Sequence, residues 1–176
     1  NTYGSGANHE KMCGFPHFRN LEFNGEFPLA LLDFKDDKFP ANVNMTAFNP
    51  FIPLDAKNSS VPAAFFEFEV ENITSENVEY QIALSVANPY KDSINKADIN
   101  NRVKTLTLLN NGTGKDELKH GDLTLATDCD TAYTQTYWYR GGWQDSIVSF
   151  WNEFSNEKHI NERIYDDQGN VKSIIY

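Results

Sequence analysis

The chain of 176 residues, with a mass of 20.1 kDa, is long enough to bury one hydrophobic core and too short for two domains of ordinary size. Its 15 basic and 25 acidic side chains give a formal net charge of −10, which argues against nucleic acid or an anionic lipid surface as a partner. Aromatic residues make up 14% of the chain, a content typical of folded proteins, and no apolar run approaches the roughly 20 residues that span a bilayer.

Short β-strands separated by turn residues are predicted along most of the chain. The first lies at residues 29–34 and is followed by a turn at residues 36–38. The second lies at residues 41–48 and leads into a proline-rich segment at residues 49–53. Both runs are rich in apolar residues and end in turn-forming ones, so we expect strands at these positions.

A β-hairpin is the structure that the sequence predicts most strongly. Residues 63–72 place apolar side chains on one face and glutamates on the other, as a half-exposed antiparallel strand does. Residues 79–88 also alternate, and a polar turn at residues 74–77 separates the two runs. We expect this hairpin to be central to the fold, with Phe66 and Leu84 both buried.

Later segments predict further strands. Three are placed at residues 103–109, 122–127 and 134–139, the first ending at the turn Asn110-Asn111-Gly112. A second hairpin is predicted between residues 163–165 and 171–176. Many short strands with regular turns indicate a mainly β chain, folded as an antiparallel β-sandwich in which residues 1–176 form a single domain.

One segment has helical periodicity instead. Trp143, Ile147, Trp151 and Phe154 recur at intervals that place them on one face of a helix, with polar residues between them. The spacing predicts an amphipathic helix near residues 143–155, with Trp151 buried.

The local chemistry of the sequence predicts no catalytic centre, metal site or cofactor. The acidic pairs Asp36–Asp37 and Asp166–Asp167 lie in predicted turns, where aspartate is favoured for local hydrogen bonding, and we interpret Asp128–Asp130 in the same way. His9, Cys13 and His17 are four residues apart, but Gly14 and Pro16 interrupt the helix that would align them as metal ligands.

Two cysteines, Cys13 and Cys129, are too few for a disulfide-dense scaffold or a four-cysteine zinc site. We expect two free thiols, although sequence separation alone leaves a single bridge open. The chain begins at Asn1 without an initiator methionine or a leader, so we expect an excised piece of a longer protein. The lack of a leader and of a membrane-length run favours a cytoplasmic location.

One segment combines residue types that bind sugars. Aromatic faces stack on sugar rings, an arginine donates to oxygens, and glycines permit close approach. The segment contains two glycines and the candidate residues Tyr137, Trp138, Tyr139, Arg140 and Trp143. They would contact either a carbohydrate or a neighbouring domain. In the alternative interpretation the aromatic residues fill the core and the glycines form a turn into the helix.

Two parts of the chain resemble glycoside hydrolase family 116, the family of non-lysosomal glucosylceramidases and bacterial β-glucosidases. The N-terminal part carries GFPHFRNLEFNGEFPLA at residues 14–30, AFNPFIPL at residues 47–54 and SSVPA at residues 59–63. The second part is WQDSIVSFWNEF at residues 143–154. The similarity covers residues 14–156 and concerns the N-terminal domain of that family.

The resemblance implies a β-sandwich whose catalytic residues lie elsewhere. In that family an (α/α)₆ barrel follows the N-terminal domain and holds the catalytic glutamate and aspartate, and neither catalytic motif has a matching position in this chain. The family's sandwich is also longer than this chain. The resemblance therefore implies a non-catalytic fragment that buttresses the barrel of a retaining β-glucosidase or glucosylceramidase.

Two alternatives of other classes stay open from the sequence. One is a free-standing carbohydrate-binding module, and the other is a structural or interaction domain without a ligand. We also expect the isolated chain to expose an apolar patch, because its aromatic content exceeds what a sandwich of this size must bury, and to associate as a homodimer through that patch or through an edge strand.

Overall fold

A computed structural model describes residues 15–90, 93–139, 146–156, 160, 162, 163 and 165. The chain divides into two compact units, one of residues Phe15–Ile82 and one that contains the described residues from Ala83 onward. Each unit is built on an antiparallel sheet, with four strands in the first and three in the second. The predicted mainly β fold is confirmed.

The first unit is a four-stranded meander in which each strand pairs with the next in sequence. Its strands are β1 (Asn20–Glu26), β2 (Leu29–Lys35), β3 (Ala41–Phe48) and β4 (Phe65–Asn72), and the short helix α1 (Ala56–Ser59) lies between β3 and β4. The predictions of β2, β3 and β4 are confirmed, whereas β1 was not predicted. The register aligns polar side chains on one face and apolar side chains on the other.

The apolar face of this sheet is exposed along its two outer strands, β1 and β4. One row across the four strands consists of Phe23, Leu32, Met45 and Phe68, and Phe23 is 65% exposed. Phe66 on the same face is 52% exposed, so the prediction that it is buried was wrong. Alternation assigns a side chain to a face of a sheet, but it does not determine whether another layer covers that face.

The predicted hairpin between residues 63–72 and 79–88 was also wrong. Residues 79–88 form no strand, Leu84 is exposed, and β4 pairs with β3 over its whole length instead. The polar residues after β4 fold back on themselves, because the Asn72 amide donates to the carbonyl of Glu76 at 2.7 Å. Beyond this turn the Tyr80 hydroxyl donates to the carbonyl of Pro40 at 2.8 Å, so the chain follows the β2–β3 connection rather than β4.

The second unit holds a three-stranded sheet of β5 (Ser93–Asp98), β6 (Lys104–Asn110) and β7 (Leu123–Thr127), and the helix α2 (Ser146–Asn156). The predictions of β6, β7 and the amphipathic helix are confirmed, and β5 was not predicted. In α2 the buried residues are Ile147 and Phe150, whereas Trp151 is half-buried rather than buried as predicted.

Residues 134–139 form no strand, contrary to prediction. Consecutive residues Tyr137 and Trp138 are both buried, which a strand with alternating faces cannot achieve against a single layer. The backbone N–H of Thr136 donates to the Glu162 carboxylate at 2.9 Å rather than to a neighbouring strand. The second strand of the predicted C-terminal hairpin lies outside the described residues.

Candidate functional site

The core of the second unit is organised around the buried side chain of Asn95 on β5. Its amide nitrogen donates to the carbonyl of Thr136 at 2.7 Å, and its amide oxygen accepts from the Asn88 amide at 2.7 Å. The backbone N–H of Asn95 donates to the Tyr137 hydroxyl oxygen at 3.1 Å. A buried amide is tolerated only when its polar atoms are paired, and these bonds hold residues 136 and 137 against β5.

Aromatic stacking joins the same segment to helix α2. The rings of Trp138 and Phe150 are nearly parallel, with centroids 4.6 Å apart, and the Phe154 ring stacks on Phe150 at 5.6 Å. Tyr165 contributes a T-shaped contact to Tyr137 at 6.2 Å. Phe150 and Phe154 are four residues apart on one helix face, so helical periodicity is what brings them to Trp138.

A charged group lies beside this aromatic cluster. The guanidinium of Arg163 pairs with the Glu153 carboxylate, and it also donates to the Ser149 hydroxyl at 3.2 Å. The second carboxylate oxygen of Glu153 accepts from the Gln135 amide at 3.0 Å. The guanidinium carbon lies 5.4 Å from the centre of the Tyr139 ring, within the range of a cation–π contact.

The structure distributes the predicted sugar-contact residues between the core and the surface. Tyr137 and Trp138 are buried, so their ring faces are not open to a ligand. Tyr139 is 41% exposed, whereas Arg140 and Trp143 lie outside the described residues. Among the described residues, Arg163 is a cation that contacts Tyr139, and the sequence did not indicate it because it lies 24 residues away and belongs to no local motif.

Asp36 behaves as a turn residue, as the sequence predicts. The Asp36 carboxylate accepts from the backbone N–H of Lys38 at 2.9 Å and from that of Arg19 at 3.3 Å. Asp166 and Asp167 lie outside the described residues. Cys129 is a free, exposed thiol, and Cys13 lies outside the described residues.

A polar groove runs across the first sheet on the face opposite its apolar one. One part of it has a volume of about 550 Å³ and is lined by side chains that include Glu22, Asp33, Asn44 and Glu69. Lys35 pairs with Glu22 at 3.2 Å, so part of this negative charge is compensated within the sheet. The described residues contain no group of three or more histidine, cysteine, aspartate or glutamate side chains placed to hold a metal ion.

The two ends of the first sheet differ in chemistry. At one end the β2–β3 turn presents Asp36, Asp37 and Lys38, with Arg19 beside them. At the other end, which we call the apolar end, exposed apolar side chains project from the β1–β2 turn, the first residue of β2 and residues 49–63. They are Phe27, Leu29, Phe51, Ile52, Leu54 and Val61. Phe27 and Phe51 contact each other edge to face at 5.0 Å, which joins the two loops.

The loop that carries the apolar end is internally bonded. The Ser59 hydroxyl both accepts from the backbone N–H of Ile52 at 2.9 Å and donates to its carbonyl at 3.0 Å. The Asn49 amide donates to the carbonyls of Val61 and Ala63, and Asp55 caps helix α1 by accepting from the Asn58 N–H at 3.0 Å. These bonds fix the loop backbone without using its apolar side chains.

Leu54 occupies the tip of this loop in a strained conformation. Its φ of 66° lies in the left-handed region, which costs a branched L-residue about 1–2 kcal/mol. Its side chain is fully exposed. Strained residues persist where the surrounding structure imposes them, and they cluster at binding sites.

Together these features define a class: a mainly β protein with two antiparallel sheets, an amphipathic helix and a rigid apolar loop at its surface. The family profile described as "beta-glucosidase 2, glycosyl-hydrolase family 116 N-term" matches residues 4–174. The chain belongs to this family, as the sequence resemblance indicated. A search of curated proteins finds no match. Among the described residues, no helix is both long and apolar enough to cross a membrane.

Proposed function

We propose that the chain is a non-catalytic part of the N-terminal β domain of a family 116 β-glucosidase or glucosylceramidase, and that it buttresses the (α/α)₆ catalytic barrel of the same parent protein. Residues 1–176 would form one β-sandwich domain, part of the longer family domain. The observation that carries the proposal is the apolar end of the first sheet, where a bonded loop holds Leu54 fully exposed. Exposed apolar side chains grouped at one end of a sheet, two of them in ring contact, are typical of contact surfaces.

The partner proposed for the apolar end is a protein surface. The loop is ordered by its own hydrogen bonds, so little conformational entropy is lost on docking, and preorganisation of this kind strengthens association. A lipid surface is disfavoured because the carboxylates of Glu26 and Asp55 flank the tip and the chain carries a net charge of −10. A family 116 N-terminal domain implies a catalytic domain in the parent protein, which supplies such a surface.

Substitution of the loop tip tests this proposal. We expect Leu54→Asp to weaken the association of this chain with the separately produced catalytic domain by roughly 10–100-fold, since burying a leucine contributes about 1.5–3 kcal/mol. Leu118→Asp is the matched control, because Leu118 is also fully exposed but lies in the β6–β7 loop. Equal affinity for both variants and the unsubstituted chain would refute docking through the apolar end.

The non-catalytic role has a separate test. We expect the isolated chain to hydrolyse no aryl β-glucoside above background, because the Asp36 carboxylate is bonded within its own turn and Lys35 compensates part of the negative charge of the polar groove. Measurable turnover that disappears on Asp128→Asn would show that the chain carries its own catalytic carboxylate.

A second candidate function is carbohydrate contact at the rim of the parent's catalytic cleft. Tyr139 favours it, because its ring is exposed and Arg163 lies within cation–π distance of it. Arg140 and Trp143, close to it in sequence, would complete the contact. Saturable binding of glucosides by the isolated chain, abolished by Tyr139→Ala, would favour a carbohydrate-binding module over a purely supporting domain.

The apolar surface also leads us to propose that the isolated chain forms a homodimer. Without its partner domain the apolar end would associate with a second copy, while the net charge of −10 limits further growth. Light scattering should show twice the chain mass for the unsubstituted protein and a monomer for Leu54→Asp. A monomer at high concentration for both proteins would contradict this proposal.

A further inference from the structure

The loop between β6 and β7 begins with Asn111-Gly112, a pair with distinctive covalent chemistry. Both residues are exposed and lie outside the paired strands. When glycine follows asparagine, the absence of a Cβ leaves the glycine backbone nitrogen open to approach the asparagine side-chain carbon. Asparagine is among the thermally labile residues of proteins for this reason.

Hydrogen bonds hold the residues on both sides of this pair. Before it, the Asn110 N–H donates to the Asp122 carboxylate at 3.0 Å, and the Asn110 amide donates to the carbonyl of Lys119 at 3.0 Å. After it, the Gly114 N–H donates to the Glu117 carboxylate at 3.3 Å. In the part of the chain that the structure describes, no hydrogen bond uses the Asn111 amide or the Gly112 N–H. The backbone of Asn111 and Gly112 can therefore rotate, while hydrogen bonds hold Asn110 and Gly114 on either side.

A second pair of the same type provides an internal comparison. Asn24-Gly25 lies inside strand β1, where Asn24 is paired with Leu31 and Gly25 with Ala30. Closing a five-membered ring at an asparagine requires rotation of the backbone between its Cα and carbonyl carbon. Pairing of both residues with β2 opposes that rotation, so the strand must first open locally.

We propose that Asn111 is a site of spontaneous deamidation, whereas Asn24 is protected. The Gly112 nitrogen attacks Cγ of Asn111, a new C–N bond forms, the backbone N–H proton is lost, and the amide nitrogen leaves as ammonia. Water then opens the resulting succinimide to aspartate or isoaspartate. The sum is asparagine plus water giving an acid plus ammonia, with no oxidation or reduction, and the formal charge changes from −10 to −11.

The position of Asn111 gives the modification a structural consequence. The Asp122 carboxylate already accepts from the neighbouring Asn110 N–H, so a new carboxylate at residue 111 adds like charge beside it. Isoaspartate also lengthens the backbone by one atom directly after β6. Both changes act next to the last pair of the β6–β7 ladder, in which Leu108 lies opposite Leu123. We therefore expect deamidation to loosen this hairpin.

Peptide mapping tests the proposal. The intact chain is first incubated at mildly alkaline pH in water enriched in oxygen-18. The peptide with Asn111 should gain the mass of deamidation with label incorporation, while the peptide with Asn24 reacts at least about tenfold more slowly, since a local opening free energy of about 1.4 kcal/mol already gives that factor. Gly112→Ala should slow the reaction at Asn111 by a similar factor, because a Cβ hinders the attacking nitrogen.

Deamidation rates measured in denaturant show whether the difference between Asn24 and Asn111 comes from the fold or from the local sequence. In denaturant the Asn24 and Asn111 rates should converge, because both pairs are Asn-Gly and neither is then held by a strand. Equal rates in the folded chain, faster reaction at Asn24, or a rate at Asn111 unaffected by Gly112→Ala would each overturn the proposal.

Discussion

The backbone N–H of Asn95 donates to the hydroxyl oxygen of Tyr137 at 3.1 Å, across 42 residues of sequence. Asn95 is 5% exposed and Tyr137 is 1% exposed, so water does not replace this bond if it is lost. The contact therefore fixes the irregular segment around residue 137 to a sheet strand. The Tyr137 hydroxyl thus satisfies a buried backbone N–H, a task that strand pairing performs at most positions of a sheet.

Tyr137→Phe is expected to lower the free energy of unfolding by about 1–3 kcal/mol, because it leaves the buried Asn95 N–H without its acceptor. Urea unfolding followed by tryptophan fluorescence measures the change. Tyr139→Phe removes the same atom at an exposed position and should change stability by less than about 0.5 kcal/mol. Equal effects of the two substitutions would show that the Tyr137 hydroxyl contributes nothing particular.

Phe150→Ala and Phe66→Ala form a second contrast between two phenylalanines. Phe150 is buried and stacked on Trp138, so its truncation should cost about 3–5 kcal/mol. Phe66 is half exposed on the open face of the first sheet, and its truncation should cost about 1 kcal/mol. Thermal unfolding of the two variants tests this order, and a larger loss for Phe66→Ala would show that the apolar face of β4 is covered.

Periodicity predicted β3 and β4, in which apolar and polar residues alternate, and missed β1 and β5, whose composition is mixed. Ala41–Phe48 alternates cleanly and ends at a proline-rich segment, and it was predicted to the residue. In β1 the residues Asn20–Glu26 are all exposed and include two asparagines and a glycine, so no propensity signals a strand there. Its pairing with β2 forms the strand despite that composition.

Pairing partners were harder to predict than strands. Residues 63–72 and 79–88 both alternate and flank a polar turn, which favours a local hairpin. The pairing of β4 with β3 instead uses eight residues in register, from Ala41 opposite Asn72 to Phe48 opposite Phe65, and stacks those two rings at 5.3 Å. Two competing pairings with similar patterns differ only in such tertiary contacts, which the sequence pattern does not contain.

The environment of the candidate site residues also depends on tertiary contacts that the sequence pattern does not contain. The sequence singled out Tyr137, Trp138 and Tyr139 by residue type, but burial of the first two depends on Asn95 and Phe150, which lie on other elements. The loop at residues 49–63 was noted for its family resemblance and its proline content. Its outward-facing leucine became evident only from the backbone angle and the exposure of Leu54.

Leu54→Asn should raise the free energy of unfolding by about 1 kcal/mol, because asparagine adopts positive φ more readily than leucine and no packing is lost at a fully exposed position. Leu118→Asn, at an equally exposed leucine, should leave stability unchanged. Chemical denaturation of the isolated chain compares the variants. A decrease for Leu54→Asn would mean that the leucine side chain stabilises the loop by contacts, which contradicts the strain assigned to it.

Asp55 gives the apolar loop a pH dependence whose direction follows from its bonds. The backbone N–H of Asn58 at 3.0 Å, and then its side-chain amide at 2.6 Å, hold the pKa of the Asp55 carboxyl below its ordinary value of 3.8. A group whose folded pKa is depressed stabilises the folded state above its unfolded pKa. That stabilisation is lost as the pH falls through the lower, folded value. The cap on helix α1 should therefore persist at neutral pH and weaken only below pH 3.8.

Nuclear magnetic resonance can follow this titration at one proton. The amide resonance of Asn58 should shift with a midpoint below 3.8, and hydrogen exchange at Asn58 and Ser59 should accelerate over the same range. In Asp55→Asn the amide oxygen still accepts from the Asn58 N–H but carries no titrating charge, so the shift should disappear while the loop stays ordered at neutral pH. A midpoint at or above 3.8 in the unsubstituted chain would show that the carboxylate does not hold the cap, and the rigidity of the apolar end would then need another origin.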